Sequence, residues 1–215
     1  MWFDVGMPTD PVPPTPALLE ILERSRELGF LGPGSVEAHV DHAGNFVGPL
    51  QHRRRVVDLG SGGGVPGLVL ATVLPDLQVT LLDAMQKRCR FLEWAVAELG
   101  LDVRARVLCG RAEDLARAPE ERGGYEAVVS RSFAGPAVTV ECAVGFLAGP
   151  GSRIVISEPP DHPARWPDEP LAVLGLRVGD RAGSASGSVQ VLDVLEACPD
   201  RFPRRTGIPA KRPLF

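Results

Sequence analysis

The stretch VVDLGSGGGVPGLVLA, from Val56 to Ala71, decides the fold of this chain. A short apolar run leads into a glycine-rich turn, and an apolar helical run follows. Glycine in such a turn reaches positive φ without a Cβ penalty and lets the backbone approach a ligand closely. The spacing fits a GxGxG pattern from Gly60 and also the GxGxxG of dinucleotide sites from Gly62. The turn therefore predicts a phosphate, dinucleotide or other adenosine ligand without choosing among them.

Strand and helix patterns alternate around this turn. Strands are predicted at Val56–Leu59, Val79–Leu82, Val103–Leu108, Ala127–Val129 and Ile154–Ile156. Helices are predicted between them, near Pro66–Val73, Lys87–Leu99 and Pro136–Leu147. Alternation of this kind is typical of a parallel sheet with helices on both faces, so the fold class is α/β and Rossmann-like.

The two ends of the chain depart from this alternation. Two helices, one after Thr15 and one over Val36–Val47, predict that residues 1–50 form a short helical cap on a domain of residues 51–215. Two later runs, Ala172–Val178 and Val189–Leu195, predict an antiparallel strand pair at the edge of the sheet.

Composition limits the partners. The 215 residues suit one domain with a full core, and the net charge of -4 argues against general nucleic-acid affinity but allows a local basic surface. No run approaches the roughly 18 apolar residues of a membrane span, and the N-terminus lacks a signal-peptide pattern. The four cysteines form no CxxC pair and are predicted to be reduced core thiols. We therefore expect a cytoplasmic protein with neither membrane nor DNA as a partner.

The residues around the turn select the cofactor. Asp58 lies two positions before Gly60, where an anion would repel a pyrophosphate but suits the sulfonium and ammonium of S-adenosylmethionine. Asp83 ends the next strand and is placed to accept both ribose hydroxyls. Ala112 and Glu113 follow the third strand, where an amide and an acid commonly flank an adenine. A P-loop is excluded because no Lys-Ser or Lys-Thr closes the glycine run. The sequence predicts a class I methyltransferase.

The loop after the fourth strand limits the methyl acceptor. It has Ser130-Arg131-Ser132-Phe133 where amino-methylating enzymes carry Asn or Asp, Pro-Pro and an aromatic residue. Neither Cys142 nor Cys198 is placed as the nucleophile that cytosine-C5 transfer requires. Guanine N7 needs no deprotonation, because it offers an sp² lone pair. For that acceptor catalysis is mostly proximity and alignment, so we predict no catalytic acid or base.

Several segments together resemble one family. They are VVDLGSGGGVPGLVLA, LLDAMQKRCRFLEWAVAELGL, GRAEDLA, VVSRSFAGPA and the terminal FPRRTGIPAKRPL. They resemble the RsmG (GidB) family of 16S ribosomal RNA guanine-N7 methyltransferases. The resemblance covers about residues 50–150 and 200–214. It implies that Gly60, Val65, Ala112, Glu113 and Arg131 line the S-adenosylmethionine site, and the turn adds Asp58, Gly62 and Gly64 with the ribose ligand Asp83.

The resemblance also implies an RNA partner, 16S rRNA or the small ribosomal subunit. The cations expected to contact RNA are Lys87, Arg88, Arg204, Arg205, Lys211 and Arg212. Two departures stand against this reading: residues 1–50 lack the Trp-Asn and Asn-Leu pairs of the family, and Ser157-Glu158 replaces Lys-Gly after strand five. An inactive S-adenosylmethionine-binding ribosomal module and a small-molecule methyltransferase are therefore the alternatives.

One further pattern, His39-Val40-Asp41-His42, faintly resembles a metal-ligand set. It is too short and lacks partners at the spacing that zinc sites use, so we expect no metal.

Overall fold

The computed structural model describes residues 12–159 and 165–215 of the chain. Residues 1–11, which belong to the predicted cap, and residues 160–164 lie outside the described part. One seven-stranded sheet has the strand order β3-β2-β1-β4-β5-β7-β6. Its strands are β1 (Arg55–Leu59), β2 (Gln78–Asp83), β3 (Ala105–Cys109), β4 (Ala127–Ser130), β5 (Arg153–Glu158), β6 (Leu176–Ser184) and β7 (Gly187–Val194).

The first five strands are parallel, and β7 pairs antiparallel with β5 and with β6. The order reverses between β1 and β4, which lie side by side at the centre. In open sheets of this type ligands bind outside the carboxyl ends of the strands at such a reversal. The predicted Rossmann-like fold and the antiparallel edge pair are thereby confirmed.

Helices cover both faces of the sheet. They are α1 (Pro16–Glu27), α2 (Val36–Gly44), α3 (Gly67–Val73), α4 (Gln86–Glu98), α5 (Ala112–Leu115), α6 (Pro136–Val144), α7 (Asp168–Val173) and α8 (Ile208–Lys211). Helix α1 begins as predicted, with the Thr15 side chain accepting from the Leu18 amide at 3.2 Å and proline at the next position. Among the described helices none is long and apolar enough to cross a bilayer.

Two predictions from the sequence were wrong in detail. The run Ala172–Val178 is not one strand, because Ala172 and Val173 complete α7 and the strand begins at Leu176. A short apolar run fits either structure, and the turn at Gly175, with φ of 75°, separates the two.

The second error concerns the cysteines. Cys89 in α4 and Cys109 at the end of β3 form a disulfide, with their Cα atoms 5.8 Å apart. The two cysteines are 20 residues apart in the chain, so their spacing did not predict the contact. They meet because β2 and β3 are neighbours in the sheet and α4, which connects them, packs beside them. Cys142 and Cys198 are free thiols, as predicted.

Candidate active site

The glycine turn joins β1 to α3 and lies against the end of β2. Gly60, Gly62 and Gly64 all have positive φ, at 76°, 54° and 97°. The amides of Gly60 and Ser61 donate to the Leu82 carbonyl at 2.9 and 2.8 Å. The turn is thus fixed to the neighbouring strand, and its glycines adopt a backbone that other residues rarely reach.

Asp58 lies beneath this turn rather than at its surface. Its side chain is fully buried, and Oδ2 accepts from the Gly67 amide at 3.0 Å. Oδ1 has no hydrogen-bond donor among the described residues. Burial raises the pKa of this carboxyl from 3.8 to about 7, because the charged form is poorly solvated there. Asp58 therefore supports the turn and keeps one acceptor free, while its contact with a cofactor stays a prediction.

Asp83 connects the turn to the start of α4. Its Oδ2 accepts from the Gly62 amide at 3.0 Å, and its Oδ1 accepts from the Met85 amide at 2.8 Å. Nη1 of Arg88 is 3.6 Å from Oδ2. A carboxylate has about four acceptor positions, so both oxygens can accept further bonds from a ligand.

A cavity of about 340 Å³ opens at the carboxyl ends of β1 to β4. The residues predicted from the sequence that line it are Gly60, Asp83, Arg88, Ala112 and Glu113. Among the described residues Asp58, Gly62, Gly64 and Val65 do not line it, since they lie in or behind the turn. The volume is within the range of small-molecule sites, about 300–1,000 Å³.

Sequence reasoning missed several residues of the cavity wall. They are Arg111, Ser132, Phe133, Val138, Cys142 and Ala210. The position of Arg111 and Phe133 directly after strands could have indicated them, since ligands bind at strand ends. Cys142 is buried, and burial raises the pKa of its thiol to about 12, so it stays protonated and is a poor nucleophile.

The C-terminal segment closes one side of this cavity. Oε1 of Glu113 accepts from the Gly207 amide at 2.9 Å, and Ala210 lines the cavity. Arg204 donates from Nε and Nη2 to the buried Glu141 at 2.7 and 2.6 Å. The guanidinium of Arg204 is therefore engaged within the chain, and the RNA contact expected for it stays a prediction.

The other cations predicted to contact RNA are placed differently. Lys87, Arg205, Lys211 and Arg212 are exposed, whereas Arg88 is one-third exposed at the cavity. They lie on α4 and on the C-terminal segment, on two sides of the same cavity. The contact of these cations with RNA stays a prediction, which a local cluster of positive charge would allow despite the net charge of the chain.

Arg131 lines a second cavity, of about 500 Å³, instead of the first. Its Nη2 donates to Nδ1 of His39 at 2.6 Å, and Nε2 of His39 donates to the Gly32 carbonyl at 3.1 Å. Both nitrogens of His39 are thus used within the chain, and the described residues contain no group of three or more metal-ligating side chains. Ser132, Phe133 and Ala134 line both cavities.

Comparison with known proteins places the chain in a family. The GidB family model, described as rRNA small subunit methyltransferase G, matches residues 36–157. A ribosomal RNA small subunit methyltransferase G of Thermotoga neapolitana is 38% identical and covers 78% of this chain and 76% of its own length. The protein of that name from Deinococcus deserti is 35% identical and covers 78% of this chain and 71% of itself.

Solved structures show the same fold at low identity. The O-methyltransferase from Bacillus cereus in complex with SAH has a TM-score of 0.60 and 14% identity, covering 85% of this chain and 92% of that one. The O-methyltransferase TomG of Streptomyces achromogenes, in complex with SAM, has a TM-score of 0.59 and 19% identity, covering 85% and 91%. The chain therefore belongs to the GidB family of S-adenosylmethionine-dependent small-subunit rRNA methyltransferases.

Proposed function

We propose that this enzyme methylates N7 of a guanine in 16S rRNA, in the cytoplasm, with S-adenosylmethionine bound in the first cavity. The observation that carries the proposal is the pair of adjoining cavities at the carboxyl ends of the central strands. The family membership supports a ribosomal RNA acceptor. N7 is proposed because it needs no deprotonation, so neither His42 nor Glu158, which line the second cavity, is given the role of a base.

The residues of the first cavity fit this cofactor. The carboxylate of Asp83, already oriented by two backbone amides, would accept the ribose hydroxyls. Ala112 and Glu113 would border the adenine, and Gly60 would let the methionine portion approach the turn. Oδ1 of Asp58 has no donor among the described residues, and a cationic ligand above the turn would favour the ionised form of this carboxyl.

The chemistry needs little from the side chains beyond alignment. S-adenosylmethionine, held by Asp83, Ala112 and Glu113, would supply an activated methyl group, and the N7 lone pair would receive it without prior deprotonation. No proton leaves, so no side chain has to act as a base. The Cys142 thiol is protonated and both ring nitrogens of His39 are engaged, whereas Nε2 of His42, in the wall of the second cavity, has no hydrogen-bond partner among the described residues. The protein would contribute proximity and exclusion of water.

Methyl-labelled cofactor and small ribosomal subunits that lack this modification test the proposal. We expect label in 16S rRNA and 7-methylguanine among its digestion products by mass spectrometry. Label in another base would contradict the N7 assignment. Cofactor binding without transfer to RNA would favour the inactive module, and transfer only to a soluble acceptor would favour the small-molecule enzyme.

The exposed cations of the C-terminal segment allow RNA binding to be tested separately from cofactor binding. Replacing Arg205, Lys211 and Arg212 by alanine should raise the KM for subunits and reduce its salt dependence, because each phosphate contact releases counterions. Cofactor affinity should stay unchanged, since these side chains do not line the cavity. Deleting residues 201–215 is a poorer test, because Ala210 lines the cavity and the Gly207 amide donates to Glu113 in the cavity wall.

A further inference from the structure

The second cavity adjoins the cofactor cavity through a shared wall. Ser132, Phe133 and Ala134 line both, so the two cavities adjoin at this loop. The second cavity lies at the ends of β4 and β5 and measures about 500 Å³, which is sufficient for a nucleobase. Phe133, an aromatic residue of the type on which bases stack, is partly buried in the wall of this cavity.

Glu158, the last residue of β5, lines this cavity on the β5 side. Its side chain is only 4% exposed. Oε1 accepts from Nε1 of Trp166 at 2.9 Å, and Nη1 of Arg165 is 3.4 Å from Oε2. These donors hold the carboxylate in place and use two of its roughly four acceptor positions. Glu158 thus presents a fixed pair of acceptor oxygens at the wall of this cavity.

We propose that Glu158 recognises the Watson–Crick edge of the acceptor guanine, accepting hydrogen bonds from N1–H and the N2 amino group. This inference rests on the proposed function, because it assigns the second cavity to the base that receives the methyl group. It makes Glu158 a specificity residue, and it gives a role to the departure from the family pattern at Ser157-Glu158.

The chemistry of the bases explains why a carboxylate fits. Guanine presents two adjacent donors on this edge, and its N7 lies on the opposite side of the ring system. Glu158 can therefore hold the donor edge while N7 faces the shared wall and the cofactor. Adenine presents an unprotonated N1 on the same edge, and its lone pair would face the carboxylate. A buried polar group left unpaired in this way disfavours the wrong base strongly.

Glu158 is not an isolated charge in this cavity. Nη1 of Arg165 is 3.4 Å from its Oε2, and Arg131 also lines the cavity. The role proposed for Glu158 is therefore to accept hydrogen bonds from the base and not to supply net negative charge.

Nucleotide binding to the protein saturated with S-adenosylhomocysteine tests the inference without any transfer reaction. The probes are GMP, IMP, which lacks the N2 amino group, and AMP, with dissociation constants from ligand-observed NMR titrations. We expect wild-type protein to bind GMP roughly 10-fold tighter than AMP, with IMP between them. Equal binding of GMP and AMP to the wild type would overturn the inference with no variant needed.

Glu158→Gln replaces the carboxylate by an amide of nearly the same size and so tests the carboxylate alone. Glu169→Gln, on the exposed surface of α7, is the control. We expect Glu158→Gln to weaken GMP binding roughly 10-fold, leave AMP unchanged and bring GMP and IMP closer together. Retained S-adenosylhomocysteine affinity would show that the variant is folded. If the Glu158→Gln variant no longer binds S-adenosylhomocysteine, the Glu158→Asp variant is tested in its place, because aspartate keeps the charge on a shorter side chain. An unchanged ratio of GMP to AMP affinity in the folded variant would refute the role.

The same measurements separate this inference from the proposed function. Selective GMP binding together with no methylation of 16S rRNA would refute the function but leave the base site. If the enzyme methylates guanine in 16S rRNA but binds GMP and AMP equally, with or without the Glu158 carboxylate, only the proposed base site is refuted.

Discussion

Arg204→Ala tests whether one ion pair holds the segment that closes the cofactor cavity. Glu141 is fully buried in α6 and accepts from Nε, Nη2 and the backbone amide of Arg204, at 2.7, 2.6 and 3.0 Å. The substitution removes both guanidinium bonds and leaves the carboxylate with the backbone amide alone. Removing one partner of a buried pair costs about 3–5 kcal/mol, because the remaining charge is neither solvated nor neutralised.

A double substitution separates this charge effect from lost packing. Glu141→Gln with Arg204→Ala removes the stranded charge while the amide oxygen can still accept from the backbone. We expect the double variant to recover at least half of the stability lost in Arg204→Ala, a coupling of about 1.5 kcal/mol or more. Arg205→Ala is the matched control, since Arg205 is exposed, and it should change stability by less than about 0.5 kcal/mol.

Urea unfolding followed by far-ultraviolet circular dichroism gives these free energies, and calorimetry gives the cofactor affinity of each folded variant. Arg204→Ala should also weaken cofactor binding, since the following residues include Gly207, which bonds to Glu113, and Ala210, which lines the cavity. A loss of stability below about 1 kcal/mol, or a double variant no better than the single one, would refute the reasoning.

Two further predictions concern the cofactor ligand and the cap. Asp83→Ala should weaken S-adenosylmethionine binding by about 1–3 kcal/mol in calorimetry, because charge-assisted hydrogen bonds are lost. Asp102→Ala, at an exposed position, is the control and should leave the affinity unchanged. Equal affinities of the Asp83→Ala variant and the wild type would contradict the ribose assignment. Burial lowers the pKa of His39 in the folded protein, and the charge of Arg131 lowers it further. Neutral His39 therefore stabilises the fold fully above its unfolded pKa of about 6.5, and this stabilisation is lost as the pH falls through the lower pKa of the folded protein. Between pH 7.5 and 5 the wild type should therefore lose more unfolding free energy than His39→Gln, and parallel curves would exclude His39 as the titrating group.

The fold could be predicted from the sequence because its signals are local. Each parallel strand is an apolar run beside an amphipathic helix, and the glycine turn marks where the first strand ends. The antiparallel pair β6 and β7 was also recognisable from its small-residue loop. The error at Ala172 arose because a short apolar run has no period long enough to distinguish helix from strand.

The site was only partly predictable, because it depends on partners distant in the chain. Arg204 was predicted to contact RNA, as one of several cations near the end of the chain. The one sequence signal for its buried ion pair was Glu141, an acidic residue in an otherwise apolar helix. Asp58 was expected beside the cofactor, but its depth depends on how closely Gly67 approaches it, where even a Cβ atom would collide with the carboxylate. The Cys89–Cys109 contact likewise follows from strand order, which spacing does not reveal.

The position of the cavity wall in the chain has a consequence for biosynthesis. Gly207 bonds to Glu113, which precedes it by 94 residues, so this wall joins the site only after every strand of the sheet has been made. A nascent chain that has emerged as far as β7 can form the whole sheet while its nucleotide pocket is still open on one side. Domains fold as they leave the ribosome, N-terminal parts first. Tight cofactor capture should therefore begin abruptly, when residues 204–210 leave the exit tunnel, and the growing chain would remain unloaded until then.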